Sequence, residues 1–122
     1  MELKLLKTIK ADNGSILNNY LIGDYVISER IYDSFTYIYT TPNMNANDFL
    51  PCIFADDENE DGIITDFRIE TTSYGTLKVE DTKKFIEAYN EAVEVVEILK
   101  AKFIGKNEEN KKNEESNIWN IF

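Results

Sequence analysis

The spacing of the apolar residues changes once along this chain, close to residue 75, and that change constrains the fold more than any other feature. Before it, short runs rich in Ile, Val, Tyr, Phe and Thr alternate with turn residues, which is typical of β-strands. Between residues 79 and 103, apolar residues recur at Phe85, Ala88, Ala92, Val95 and Leu99, which is the spacing of an amphipathic helix. The order predicts an α+β domain, with a sheet followed by one long helix.

The first part of the chain predicts about six strands in an antiparallel meander, because the turns between neighbouring runs are short. The Asp-Asn-Gly turn at 12–14 is the clearest, since Asn and Gly accept the positive φ of tight turns. Leu3, Leu5 and Ile9 are expected on one face of the first strand. Pro51 indicates an edge position or an irregular start for the fifth. The predicted strands cover residues 3–10, 16–22, 25–32, 35–41, 49–55 and 63–71.

Length and composition predict one domain, at residues 1–105, followed by a charged tail with an apolar tip at 106–122. The chain has a single cysteine and no stretch of eighteen apolar residues, so it offers no internal disulfide and no membrane-spanning helix. These features, with an N-terminus unlike a secretory signal, predict a cytoplasmic protein without a membrane partner.

The formal net charge is −10, and most of the excess lies between residues 56 and 105. A surface of this sign repels phosphate backbones, which argues against binding to DNA or RNA. The chain has no histidine, the commonest general base and metal ligand. We therefore expect a protein that is not an enzyme, with no catalytic residue and no cofactor.

One acidic segment matches the first half of a calcium-binding loop: Asp57, Asn59 and Asp61 offer oxygen ligands at alternate positions, before Gly62. The match fails at the twelfth position, where Arg68 replaces the bidentate Glu. A solvated acidic turn between two strands is the favoured interpretation, so no metal site is predicted. Weak calcium binding remains the alternative.

The predicted helix carries an acidic stripe made of Glu87, Glu91 and Glu94, with Glu97 beside it. Such a stripe is typical of the solvated face of an amphipathic helix, which is the favoured interpretation. The alternative is an anionic surface that binds a basic protein partner.

Both faces of the predicted sheet carry apolar residues, and one helix covers only one of them. Phe35, Tyr37 and Tyr39 share one strand face and Ile38 lies on the other. Surplus apolar surface on a small domain usually indicates self-association or ligand binding. We expect a homo-oligomer, a dimer or larger; the alternative is a core closed by the tail.

The loop that precedes the helix offers hydroxyls, backbone N–H groups and a glycine next to a helix N-terminus, an arrangement that can hold a phosphate. The two arginines of the chain, Arg30 and Arg68, lie in predicted strands and are natural bidentate phosphate ligands. The favoured alternative is helix capping, with each arginine paired to a nearby acid such as Glu29, Asp66 or Glu70.

The end of the tail, where Glu114 and Glu115 precede Ile118, Trp119 and Phe122, resembles the C-terminal tip of bacterial single-stranded-DNA-binding proteins. That resemblance covers fewer than ten residues, and Ile121 stands where that tip has a proline. It implies a docking segment, and we expect the tail to dock on the protein's own oligomer.

In its overall layout the chain resembles the phage anti-Thoeris sponge proteins. The resemblance rests on the meander at 3–71, the loop at 72–76 and the helix at 79–103. Members of that family suppress bacterial defence by binding a cyclic ADP-ribose signal without cleaving it. The resemblance implies a small phage or prophage anti-defence protein that acts in the cytoplasm of a bacterial host.

Our leading hypothesis is therefore a non-enzymatic oligomer that sequesters a small nucleotide-derived signal. The arginines would neutralise phosphates, the loop would donate hydrogen bonds, and an aromatic ring would stack on the base. The alternative is an acidic inhibitor or immunity protein that blocks the basic site of a nuclease or defence effector. The candidate ligand-binding residues are Arg30, Phe35, Tyr37, Arg68, Thr71, Thr72, Ser73, Tyr74 and Gly75.

Overall fold

The computed structural model describes residues 1–33, 35–43, 47–58, 63–71 and 74–104, without the side chains of Asp57 and Glu58. The proposed calcium ligands, the loop residues Thr72 and Ser73, and the tail at 106–122 lie outside the described part.

The N-terminal half forms a four-stranded antiparallel sheet in the order β1-β2-β3-β4. Neighbouring strands are joined by tight turns, and Gly14 takes a φ of +87° between β1 and β2, a conformation that glycine adopts without steric cost. This sheet confirms the first four strands of the predicted meander. Its strands are β1 (Lys4–Lys10), β2 (Ile16–Ile22), β3 (Tyr25–Ile31) and β4 (Thr36–Pro42).

Two further strands, β5 (Ile53–Glu58) and β6 (Ile63–Ile69), pair antiparallel in a separate sheet. The meander is therefore interrupted between β4 and β5. β5 begins later than predicted because residues 47–50 form a turn, in which the Leu50 N–H donates to the Asn47 carbonyl. The buried Tyr25 hydroxyl then donates to the Pro51 carbonyl and fixes the segment before β5.

The predicted helix is confirmed as α1 (Val79–Leu99), which continues into a π-helical turn at Lys100–Ile104. Its buried residues pack against both sheets, because they share a core with Ile27 of β3, Ile53 of β5 and Phe67 of β6. No helix among the described residues is long and apolar enough to cross a membrane. The buried residues of α1 are Ala88, Ala92, Val95, Val96 and Leu99.

The first strand differs from the expected alternation. The register of β1 against β2 shifts between Leu5 and Lys7, so Leu5 lies opposite Tyr20 whereas Ile9 lies opposite Leu17. Tyr20 belongs to the core and Leu17 lies on the other face of β2, so the bulge places Leu5 and Ile9 on opposite faces. The prediction that they share a face is wrong for this reason.

Candidate ligand-binding cleft

A cleft of about 440 Å³ runs between the facing edges of β4 and β5, where the two sheets do not pair. The volume lies within the range of small-molecule sites in proteins. We call it the aromatic cleft. It is lined by Thr36, Tyr37, Ile38, Tyr39, Thr40, Cys52, Ile53, Phe54, Ala55 and Ile64.

Strand alternation gives the cleft an apolar floor and an aromatic rim. Ile38, Ile53 and Ile64 belong to the buried core. The residues next to the first two in sequence point the other way: Tyr39 and Phe54 are 54% and 51% exposed. The cleft therefore offers exposed aromatic rings above an apolar floor, which suits a flat, partly apolar ligand.

The β4 side of the rim belongs to a continuous row of rings. Tyr32 and Phe35 have ring centroids 4.7 Å apart, Phe35 and Tyr37 4.9 Å, and Tyr37 and Tyr39 6.1 Å. These separations are typical of interacting aromatic pairs. The predicted site residues Phe35 and Tyr37 thus lie together, and Tyr37 also lines the cleft.

Arg30 lies next to this row, because it is the direct cross-strand partner of Tyr37. Directly opposed residues project from the same sheet face, so Arg30 lies on the face that carries Tyr37. Its side chain does not line the aromatic cleft; it lines a smaller cavity with Ile9 and Leu17. Among the described residues Arg30 has no ion-pair partner. Glu29, suggested above as one such partner, lies on the other face, where it accepts hydrogen bonds from Asn18 and Tyr20.

Arg68 occupies the corresponding position on the other side of the cleft, as the cross-strand partner of Phe54. Its Nη2 lies 2.7 Å from Asp56 Oδ1, and its Nε donates to the same oxygen at 2.9 Å. The alternative that Arg68 pairs with a nearby acid is confirmed, although the acid is Asp56. The side chain remains 71% exposed, so part of the guanidinium still faces water.

The described residues of the loop before the helix, Thr71, Tyr74 and Gly75, do not belong to the cleft. The ring of Tyr74 packs edge-to-face on Phe49 and Phe85, at centroid distances of 5.2 and 5.7 Å. Thr71 is exposed, and Gly75 takes a φ of +70° beside open space. None of the three lines the aromatic cleft. The structure thus groups Arg30, Phe35, Tyr37 and, across the cleft, Arg68, but not the described loop residues.

The acidic stripe of α1 is not uniform. Glu87, Glu94 and Glu97 are exposed, whereas Glu91 is half-buried against the turn at Asp24. Burial raises the pKa of Glu91, and the charge of Asp24, with which it shares a hydrogen bond, raises it further. The outward part of the stripe is therefore three carboxylates, and Glu91 belongs to the packing of the helix.

The described lining of the cleft contains no carboxylate and one thiol, that of Cys52. Burial and the nearby Glu70 raise the pKa of this thiol, so its nucleophilic thiolate form is disfavoured. Within the described part of the chain, no three His, Cys, Asp or Glu side chains are grouped as a metal site.

Sequence reasoning missed Phe54 as a rim residue. Its signal is the alternation in β5, where Phe54 follows the buried Ile53. This alternation can be recognised only once the strand is known to begin at Ile53. Comparison with protein-family models, with curated proteins and with solved structures found nothing that matches this chain.

Proposed function

We propose that this protein is a non-enzymatic sequestering protein that binds a small nucleotide-derived signal, of the cyclic ADP-ribose class, in the aromatic cleft. One observation carries the proposal: exposed rings line an apolar-floored cleft, and the cross-strand neighbour of Tyr37 is Arg30, which has no ion-pair partner in the described part of the chain. Aromatic rings can stack on the base of a nucleotide, and a guanidinium on the same sheet face can pair with its phosphate.

In this proposal each group has one role. Tyr39 or Phe54 stacks on the base, because both expose about half of their surface at the rim. Arg30 pairs with a phosphate through the fork of its guanidinium. Arg68 contributes less than Arg30, because Asp56 already neutralises it. The buried isoleucines of the floor exclude water beneath the ligand.

The same residues support binding without turnover. Hydrolysis of a phosphate or glycosidic bond needs a general base or an activated water. The described lining contains aromatic rings, aliphatic side chains, the hydroxyls of two threonines and two tyrosines, and one thiol whose ionisation is disfavoured. A ligand held by these groups would be retained intact, as sequestration requires. The anti-defence role in a bacterial host rests on the resemblance in layout described above.

Native mass spectrometry of the full chain tests the proposal. The protein is measured before and after incubation with a nucleotide panel that includes cyclic ADP-ribose, and with a bacterial small-molecule extract. The proposal expects a mass increase of one intact ligand per cleft, with no product released. If the protein keeps its unliganded mass with every probe, the proposal is refuted.

The exposed carboxylates of α1 support a second candidate, an inhibitor that occupies a basic site on a nuclease or defence effector. Among the described residues, Glu87, Glu94 and Glu97 have no ion-pair partner, so they are available to a cationic surface. Pull-downs from bacterial lysate at low and high salt test this candidate. Capture that is abolished by salt, and by changing all three residues to Gln, supports it. A complex that persists at high salt contradicts it.

A further inference from the structure

A second cleft, of about 520 Å³, lies between β1 and the last turns of the helical segment. Its lining is mostly apolar: Leu3, Leu5, Tyr20, Ile98, Ala101 and Lys102. We call it the C-terminal cleft. The nucleotide site proposed above uses none of these residues.

One cationic side chain, that of Lys102, lines this cleft, and among the described residues it forms no ion pair. Lys4 and Lys7 lie on either side of Leu5 along β1, but they oppose Leu21 and Asn19 whereas Leu5 opposes Tyr20, so they project from the other face of the sheet. The occupant should therefore be mainly apolar, with an acidic group for Lys102.

The chain contains one segment with this chemistry. Glu114 and Glu115 are followed by Ile118, Trp119 and, at the end of the sequence given, Ile121 and Phe122. We infer that this segment docks into the C-terminal cleft of its own chain. The apolar side chains cover Leu5 and Ile98, and a glutamate lies against Lys102.

The chain is long enough for this segment to reach the C-terminal cleft. The described helical segment ends at Ile104, only a few residues after Ile98 and Ala101 of the cleft. Fourteen residues lie between Ile104 and Trp119, and a linker of that length spans up to roughly 50 Å. Because the linker joins the segment to the cleft of the same chain, the effective concentration of the segment at the cleft is in the millimolar range. This favours docking within one chain.

Trp119 is the only tryptophan, so its fluorescence reports the environment of this segment alone. In the full chain we expect blue-shifted emission and protection from acrylamide, both independent of protein concentration. Ala101→Glu places a carboxylate in the cleft at an exposed position and should move the emission to that of a water-exposed indole. Val79→Glu adds the same charge at an exposed site at the far end of α1 and should change nothing.

Lys102→Glu, at a second exposed position, should also red-shift the emission. It provides an independent test if the Ala101 variant does not fold. Circular dichroism checks that each variant is folded. Water-exposed emission in the unaltered protein overturns the inference. So does blue-shifted emission that neither cleft variant alters. Emission that shifts with protein concentration assigns the segment to another copy and overturns docking within one chain.

Discussion

At the scale of single residues, Glu91 stands out because it is a carboxylate inside the packing of the helix. Its Oε2 is buried and has no hydrogen-bond partner among the described atoms. Burial and Asp24 raise its pKa, so the folded protein disfavours the charged form. The fold is therefore more stable when Glu91 is protonated. This contribution is present below the ordinary pKa of a glutamate and is lost as the pH rises through the raised value.

Replacing Glu91 by Gln should therefore stabilise the protein at neutral pH. The amide carries no charge and can donate to the Asp24 carboxylate, which removes the penalty of a buried, unpaired oxygen. Because the side chain is only half-buried, we expect a gain of about 1 kcal/mol or less in the free energy of unfolding. Urea denaturation at several pH values measures it. The gain should shrink toward acidic pH, where Glu91 is protonated in the unaltered protein.

Glu94→Gln is the matched control, because Glu94 lies on the exposed side of the same helix. It should leave the unfolding free energy nearly unchanged. Equal effects of the two substitutions, or a destabilising effect of Glu91→Gln, would show that Glu91 is not strained in the folded state.

At the scale of elements, α1 begins without a side-chain cap. Lys78 occupies the N-cap position in an extended conformation (φ −65°, ψ 156°), and its side chain makes no capping hydrogen bond. Glu80 and Asp81 in the first turn partly compensate, because carboxylates interact favourably with the positive end of the helix dipole. The backbone conformation already suits a capping residue.

Lys78→Ser should therefore stabilise the helix by about 1 kcal/mol, since the serine hydroxyl can accept a hydrogen bond from a free N–H of the first turn. Lys78→Ala serves as the control, because it removes the same charge without adding an acceptor. Thermal unfolding followed by circular dichroism at the helix band compares the two. If serine stabilises no more than alanine, the first turn has no free N–H to cap.

The elements also show how far sequence reasoning reaches. The helix and the first hairpins were predictable, because period and turn residues are local signals. Two features were not. The bulge after Leu5 depends on how β1 pairs with β2, and the late start of β5 depends on the contact of Tyr25 with Pro51. Part of the candidate site was predictable, since Arg30 and Tyr37 lie on neighbouring strands of one meander. The gap between β4 and β5 was not, because it depends on how two separate sheets lie beside each other, which no residue spacing indicates.

In the molecule as a whole, α1 covers one face of the four-stranded sheet, and no described helix or strand covers the other, which we call the open face. Ile9, Leu17 and Val26 lie on the open face, beside Tyr37 and Tyr39 of the rim. The expectation of a homo-oligomer follows from this uncovered apolar surface and stays a prediction.

Sedimentation velocity on the full chain tests it, with Val26→Asp as the variant. Val26 is half-buried on the open face, and a carboxylate there would have to be desolvated at an interface between copies. We expect a dimer or larger assembly that becomes monomeric in the variant. The control Val93→Asp changes an exposed residue of α1 and should keep the assembly. A monomer at all concentrations contradicts the expectation.

The proposed function requires Arg30 and the aromatic cleft to act together in binding a nucleotide-derived ligand. A calorimetric titration of cyclic ADP-ribose into the unaltered protein and two variants tests this requirement. Arg30→Ala removes a guanidinium on the face of the rim that forms no ion pair with any described residue, and Lys83→Ala removes an exposed positive charge on α1. We expect saturable binding, weakened at least about tenfold by Arg30→Ala, as for the loss of a charged hydrogen bond, and unchanged by Lys83→Ala. No heat of binding, or equal affinities of the unaltered protein and Arg30→Ala, would contradict the account.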